Sequence, residues 1–178
     1  EYSDEYLAML GGETKESCDE RYERGMQVSL EVFCEYFGID LAQCSDATRT
    51  ELLDLMRRMY KCAKYEIGPT AQDGDGYTVS VTVSPIAAVA QAAQNDSPGF
   101  AQDAANRIAA GELDKSSQSF KDWWAKSICG MVSARLASPE YLAAQTVSVT
   151  LAKNDGGAYG FAGTSLSDVD ALIVSYPA

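Results

Sequence analysis

The side chains with chemistry to offer are carboxylates, five cysteines and a set of aromatics, because the 178-residue chain contains no histidine. That composition closes Ser-His-Asp and Cys-His nucleophile activation, imidazole metal sites and imidazole proton relays. Carboxylate or lysine chemistry stays open. No G-x-x-x-x-G-K-S/T, G-x-G-x-x-G or G-x-S-x-G run is present. The 26 acidic side chains give no basis for choosing a catalytic pair without a spatial arrangement. No catalytic residue and no cofactor is assigned.

Cys18, Cys34, Cys44, Cys62 and Cys129 show neither C-x-x-C pairing nor zinc spacing, so no metal site is expected. Cys18 falls on the helical stripe Cys18, Tyr22, Met26, Leu30, Phe33, Phe37, and Cys62 on the stripe Leu52, Leu55, Met59, Cys62. The simpler reading makes them small buried hydrophobes. A sharper alternative follows if helices 14–37 and 46–63 form an antiparallel hairpin. Cys18 and Cys62 then stand at similar heights, roughly 28 and 24 Å from the turn at the helical rise. Disulfide candidates are therefore Cys18 with Cys62, and Cys34 with Cys44 near the turn. Cys18 with Cys34 is excluded by ~24 Å of helix between them.

Asp73-Gly-Asp-Gly begins like a calcium loop, with hard oxygen ligands at positions 1 and 3. Tyr77 stands at position 5 and Ser84 at the place of the bidentate Glu, so a hairpin turn is the better reading. Asp168-Val-Asp170 suits the start of a helix, whose dipole favours acid there. Trp123 and Trp124 are adjacent on a helix and point about 100° apart, so only one need face the core squarely. With Tyr77 and Tyr159, which fall near strand ends, they are the candidate ligand-binding residues; burial is the plain alternative for both tryptophans.

The elements that must position these residues are readable from periodicity. Thr-Val-Ser-Val-Thr occurs twice, at Thr78 to Thr82 and Thr146 to Thr150, and both copies alternate as half-buried strands do. Four antiparallel strands are expected at 64–71, 77–84, 145–153 and 158–162, with turns at Asp73-Gly74-Asp75-Gly76 and Asn154-Asp155-Gly156-Gly157. Helical patterns cover residues 2–10, 14–37 ended by Gly38, and 46–63 capped by Ser45 or Asp46. Further patterns cover 86–94, 99–110 and a helix from Ser117 or Ser119 to 136, and a last helix over 166–174 capped by Ser165 with Asp168. The expectation is one α+β domain over 1–178: a helical N-terminal region over 2–63, a hairpin over 64–84, a helical middle over 86–138, a hairpin over 145–162 and a C-terminal helix over 166–174. Its helices pack on a small sheet, broadly like the cystatin or nuclear-transport-factor arrangement.

With 26 acidic against 14 basic residues, the net charge of −12 opposes association with nucleic acid or an anionic surface. The acidity is dense in the first 23 residues, while Arg57, Arg58, Lys61 and Lys64 form a small basic run. The plain reading is two solvated helix faces that attract each other. No apolar run approaches the ~20 residues that span a bilayer.

The order of segments carries a resemblance. Phe-Gly-Ile-Asp-Leu, Ala-Lys-Tyr-Glu-Ile-Gly, Asp-Gly-Asp-Gly-Tyr-Thr-Val-Ser-Val-Thr-Val-Ser-Pro-Ile, Phe-Lys-Asp-Trp-Trp-Ala-Lys-Ser-Ile and Thr-Val-Ser-Val-Thr-Leu-Ala-Lys-Asn-Asp-Gly-Gly follow one another. Over most of residues 14–175 the chain resembles an uncharacterised family of secreted or lipid-anchored proteins of Gram-positive, often gut-dwelling, bacteria. The shared motifs are structural and mark no catalytic or binding residue. The resemblance implies a lipoprotein signal or lipid anchor upstream of residue 1 and an extracytoplasmic, cell-surface or secreted location. It also implies a noncatalytic binding or envelope-associated role, with an envelope protein or a small ligand as partner. The alternative is a small-molecule-binding protein or carboxylate-based enzyme with a pocket between sheet and helices.

Overall fold

A computed structural model describes residues 14–153 and 159–177. The expected helix at 2–10 and the Asn154 to Gly157 turn lie outside the described residues.

Thr14 opens the first helix, α1 (Lys15–Tyr36), through a reciprocal capping box with Ser17. Its apolar stripe buries Cys18, Met26, Leu30, Phe33 and Cys34, whereas Tyr22, on the same expected stripe, is exposed. Gly38 follows the helix with φ 63°, the left-handed conformation that ends helices. After a 3-10 turn (Leu41–Gln43), the Ser45 hydroxyl accepts the Thr48 amide and starts α2 (Asp46–Tyr60). The two acidic and basic helix faces do meet: Arg57 reaches Glu23 across the pair at 2.6 Å and Asp54 along its own helix at 2.6 Å.

A short α3 (Ala88–Gln91) runs through a π-helical turn (Ala92–Asp96) into α4 (Ser97–Ala109). Ser117 caps α5 (Gln118–Leu136), which packs on α2. Leu30 and Phe33 of α1, Leu52, Leu55, Met56 and Met59 of α2, Ile128 and Val132 of α5, and the Ile86 to Ala92 segment make the main core.

The sheet has the order β1 (Lys64–Asp73), β2 (Gly76–Ser84), β3 (Gln145–Lys153), β4 (Tyr159–Phe161), all antiparallel. The two Thr-Val-Ser-Val-Thr copies are direct neighbours in register, Thr78 opposite Thr150, Ser80 opposite Ser148 and Thr82 opposite Thr146. The Thr82 and Thr146 hydroxyls hydrogen-bond at 2.8 Å. At the first hairpin, Gly76 is required by space, since a Cβ there would stand 2.5 Å from the Leu151 carbonyl oxygen. Register slips between Ile67 and Thr70, where Gly68-Pro69 interrupts an edge strand; a bulge and a proline both discourage pairing with other chains.

Cross-strand partners share a face. One face therefore carries Tyr65 with Val83, Ile67 with Val81, Thr70 with Val79 and Val149, and Leu151 with Phe161. The other carries the threonines and serines of β2 and β3. The α+β class is as expected, but the cover of the apolar face is not: a single nine-residue helix, α6 (Ser165–Ile173), makes the main helix contacts with the sheet. Val81, Val83 and Val149 form a second, smaller core beneath Val169, Leu172 and Ile173.

Ser165 does not cap α6 as the sequence suggested. Its hydroxyl donates to the Ala162 carbonyl at 2.7 Å and accepts the Thr150 amide at 3.1 Å, which pins the helix to β3. The preceding Thr164 instead donates to Asp168 at 2.9 Å. The far end is fastened by the Ile86 amide to the Ile173 carbonyl and the Ser175 amide to the Ile86 carbonyl. No helix among the described residues is long and apolar enough to cross a membrane.

Candidate functional site

Because α6 covers only some of the apolar sheet face, a groove of about 600 Å3 remains between it and β1. Val79, Val81, Val83 and Val149 form the floor, Ile67 and Tyr65 one wall, Leu166, Val169 and Ile173 the other, and Phe161 stands at an end. Strand alternation explains the floor, since every second residue of β2 and β3 points the same way. The rim is unusual for a soluble surface. Tyr65 is 62% exposed, Ile67 70%, Phe161 59% and Leu166 54%, and contiguous apolar exposure of this kind marks interaction sites. Among the described residues Lys64 is the one charged residue lining the groove, and its ammonium sits 4.0 Å from the Tyr141 ring centroid.

Two of the four sequence candidates belong to this face. Tyr77 and Tyr159 meet edge to face with ring centroids 5.2 Å apart, at the β4 end and outside the groove lining. The Tyr159 hydroxyl titrates above its usual range, first from desolvation and then from Tyr77. Lys153 lies 6.0 Å from the same ring.

The tryptophans lie elsewhere, with Phe100 and Phe120 in an aromatic cluster on α4 and α5. Trp124 packs on the main core and donates from Nε1 to the Phe37 carbonyl at 3.0 Å. Trp123 carries the Arg107 guanidinium 5.6 Å from its ring centroid. The structure thus does not bring Trp123 and Trp124 together with Tyr77 and Tyr159.

Cys34, Cys44, Cys62 and Cys129 are thiols in the structure, so it holds neither the Cys18 with Cys62 bridge nor the Cys34 with Cys44 bridge. Cys62 turns its sulfur back to the Arg58 carbonyl at 3.4 Å, as a residue at the end of a helix can. Burial pushes the Cys34 thiol up to about 12, with Cys44 adding to the shift, and raises Cys129 as well. Among the described residues no cluster of His, Cys, Asp or Glu is arranged to hold a metal ion.

Acid chemistry has one geometric foothold. A cleft of about 310 Å3 between α1 and α6 is lined by Val28, Val32, Tyr60, Asp170 and Tyr176. Asp170 is the only described carboxyl whose pKa is raised; desolvation lifts it, and a hydrogen bond with Tyr60 pulls it back. The Tyr60 hydroxyl also meets Ser29 at 2.9 Å. Asp170 is nevertheless solvent-exposed, at the edge of the cleft and outside the sheet groove.

No family model matches the chain, and no curated protein matches it. Its fold is similar to that of a solved structure, a putative lipoprotein from Bacillus subtilis, with a TM-score of 0.62 and 10% sequence identity. The likeness covers 99% of this chain and 52% of that one, so the chain spans about half the length of that protein. At this identity the likeness is one of fold.

Proposed function

We propose that the chain is a noncatalytic, extracytoplasmic binding domain that holds a linear apolar ligand, such as an acyl chain, in the groove between β1 and α6. The observation that carries this reading is the uncovered apolar face itself, about 600 Å3 in volume with Ile67, Phe161 and Leu166 exposed along its edges. The volume lies in the range of small-ligand pockets, and the lining is apolar as such pockets are. Binding would be driven by removal of apolar surface from water, worth about 0.8 kcal/mol for each methylene buried. Two pins hold α6, at Ser165 and at Ile173, so it can serve as a fixed wall rather than a loose flap.

The cellular setting is supported by the motif resemblance to secreted or lipid-anchored proteins and by the fold shared with a Bacillus subtilis putative lipoprotein. An envelope domain meets acyl chains and apolar envelope proteins routinely, which agrees with the groove's chemistry.

The experiment is displacement of a fluorescent fatty acid from the full chain, with Val79→Trp to fill the floor and Ile67→Ser to strip the rim. Uptake by the parent that is lost on filling the floor supports the reading. Absence of uptake at any chain length, or uptake indifferent to Val79→Trp, refutes it. For location, the native protein recovered from the cytosol of fractionated cells would count against the extracytoplasmic half.

A further inference from the structure

Away from the sheet groove, with which it shares no lining residue, a cavity of about 280 Å3 lies where the bend after α1 meets α4 and the start of α5. Three small residues of α4, Ala101, Ala104 and Ala105, make the recess. Phe37, Phe120 and Trp124 wall it, and the bond from Trp124 to the Phe37 carbonyl fixes two of those walls to each other.

The lining also holds three charges, Asp40, Lys115 and Lys121. None of the three takes part in an ion pair among the described residues, although Arg49, Arg57, Arg107 and Arg135 all do. The backbone at Asp40 and the backbone at Lys121 are tied through one atom: Cys44 Sγ donates to the Asp40 carbonyl oxygen at 3.4 Å and to that of Lys121 at 3.9 Å. Cys44 is buried, so this junction belongs to the core rather than to a mobile edge. An apolar recess bordered by two uncommitted cations and one uncommitted anion is complementary to a molecule with an apolar body, a carboxylate and an ammonium.

We infer that this cavity is a second binding site, for a small zwitterion of the apolar α-amino acid class. The carboxylate goes to Lys115 and Lys121, the ammonium to Asp40, and the side chain to the recess against Ala104 and Trp124. The size suits a small ligand, since at about 280 Å3 the cavity stands at the lower limit of ligand pockets. The site differs in chemistry from the sheet groove, which offers no carboxylate, and it stands or falls independently of it.

The test is calorimetric titration of the full chain with L-phenylalanine, phenylacetate and phenethylamine, the last two each lacking one charge. L-Phenylalanine is expected to bind at least roughly tenfold more tightly than either control. Asp40→Asn should bring its affinity down to that of phenylacetate. Lys115→Gln with Lys121→Gln should weaken L-phenylalanine and phenylacetate and leave phenethylamine unchanged. Ala105→Leu, which fills the recess, should abolish binding, while Ile67→Ser in the sheet groove should not alter it. The inference is overturned if none of the three compounds binds at millimolar concentration. It is equally overturned if phenylacetate binds as tightly as L-phenylalanine, or if the lysine pair can be neutralised without effect.

Discussion

The indole nitrogen of Trp124 donates a 3.0 Å hydrogen bond to the carbonyl oxygen of Phe37. Phe37 is the residue that closes α1, and the last carbonyls of a helix have no partner within it. A side chain from α5 thus satisfies the end of α1 and stacks its ring against Phe100 and Phe120. Trp124→Phe keeps most of the ring and removes the donor. It should cost about 1–3 kcal/mol, the penalty for a buried acceptor left unpaired, read from urea denaturation.

Asp122 caps a helix that is not its own. From α5 it accepts the Ser45 amide at 2.8 Å and the Ser45 hydroxyl at 3.1 Å, at the start of α2. The backbone bond from Ser45 is the main reason its carboxyl titrates below the ordinary value of 3.8. A carboxyl with a depressed folded pKa contributes stability above its unfolded value, and the contribution disappears as pH falls through the folded one. Asp122→Asn keeps an acceptor but loses the charge, and should cost about 1 kcal/mol at pH 7 because water reaches the site. The melting temperatures of parent and variant should converge as pH falls through the depressed folded pKa, and a gap that persists in strong acid would contradict this origin.

The thiols should separate by reactivity. Only the thiolate is an effective nucleophile, and burial holds Cys34 up to about 12 while also raising Cys44 and Cys129. Iodoacetamide at pH 8 should label Cys62 before Cys34, Cys44 or Cys129, with all reacting once urea is added. A non-reducing peptide map should show no Cys34 with Cys44 peptide; finding one would mean that an oxidising compartment joins the two at the α1–α2 bend.

Ser165 offers a measure of how firmly the groove wall is held. Its hydroxyl bonds both the Thr150 amide and the Ala162 carbonyl. Ser165→Ala should destabilise the chain by about 1–2 kcal/mol, as loss of a nearly buried hydrogen-bonding hydroxyl does. Amide exchange should speed up at Thr150 and along α6 more than in α2.

The sheet was legible in the sequence because alternation of β-branched and small polar residues fixes which side chains share a face. The duplicated Thr-Val-Ser-Val-Thr pairs with itself for the same reason: the observed register puts valine opposite valine, and a one-residue slip would send the valines of one strand to the other face. Local capping chemistry narrowed two helix starts to Ser45 or Asp46 and to Ser117 or Ser119, and the structure caps with Ser45 and Ser117. Periodicity states that a face is apolar, not what covers it, so the exposure of Ile67 and Phe161 was invisible. The Asp40, Lys115 and Lys121 set was missed because Asp40 is far in the chain from the two lysines, and the three line one cavity only when α5 docks beside the α1 bend. Trp124 was singled out for its type, and its place in the wall of that cavity needed the fold.

The groove can be told apart from an ordinary exposed sheet edge by comparing its rim with its floor. Val83 is 1% exposed, packed under Ile173 as well as lining the groove, so Val83→Ala should cost about 1–3 kcal/mol whatever the groove is for. Ile67, opposite Val81 and 70% exposed, contributes little to folding, and Ile67→Ser should leave stability within about 0.5 kcal/mol. If the groove holds an acyl chain, that same exposed isoleucine becomes buried by the guest, and its loss should weaken fatty-acid uptake severalfold. A rim residue that is neutral for folding and costly for uptake is what selection for binding leaves behind. Should Ile67→Ser instead raise stability or solubility and leave uptake unchanged, the exposed row is only an unpaired edge, already guarded by Pro69, and the groove is not the site.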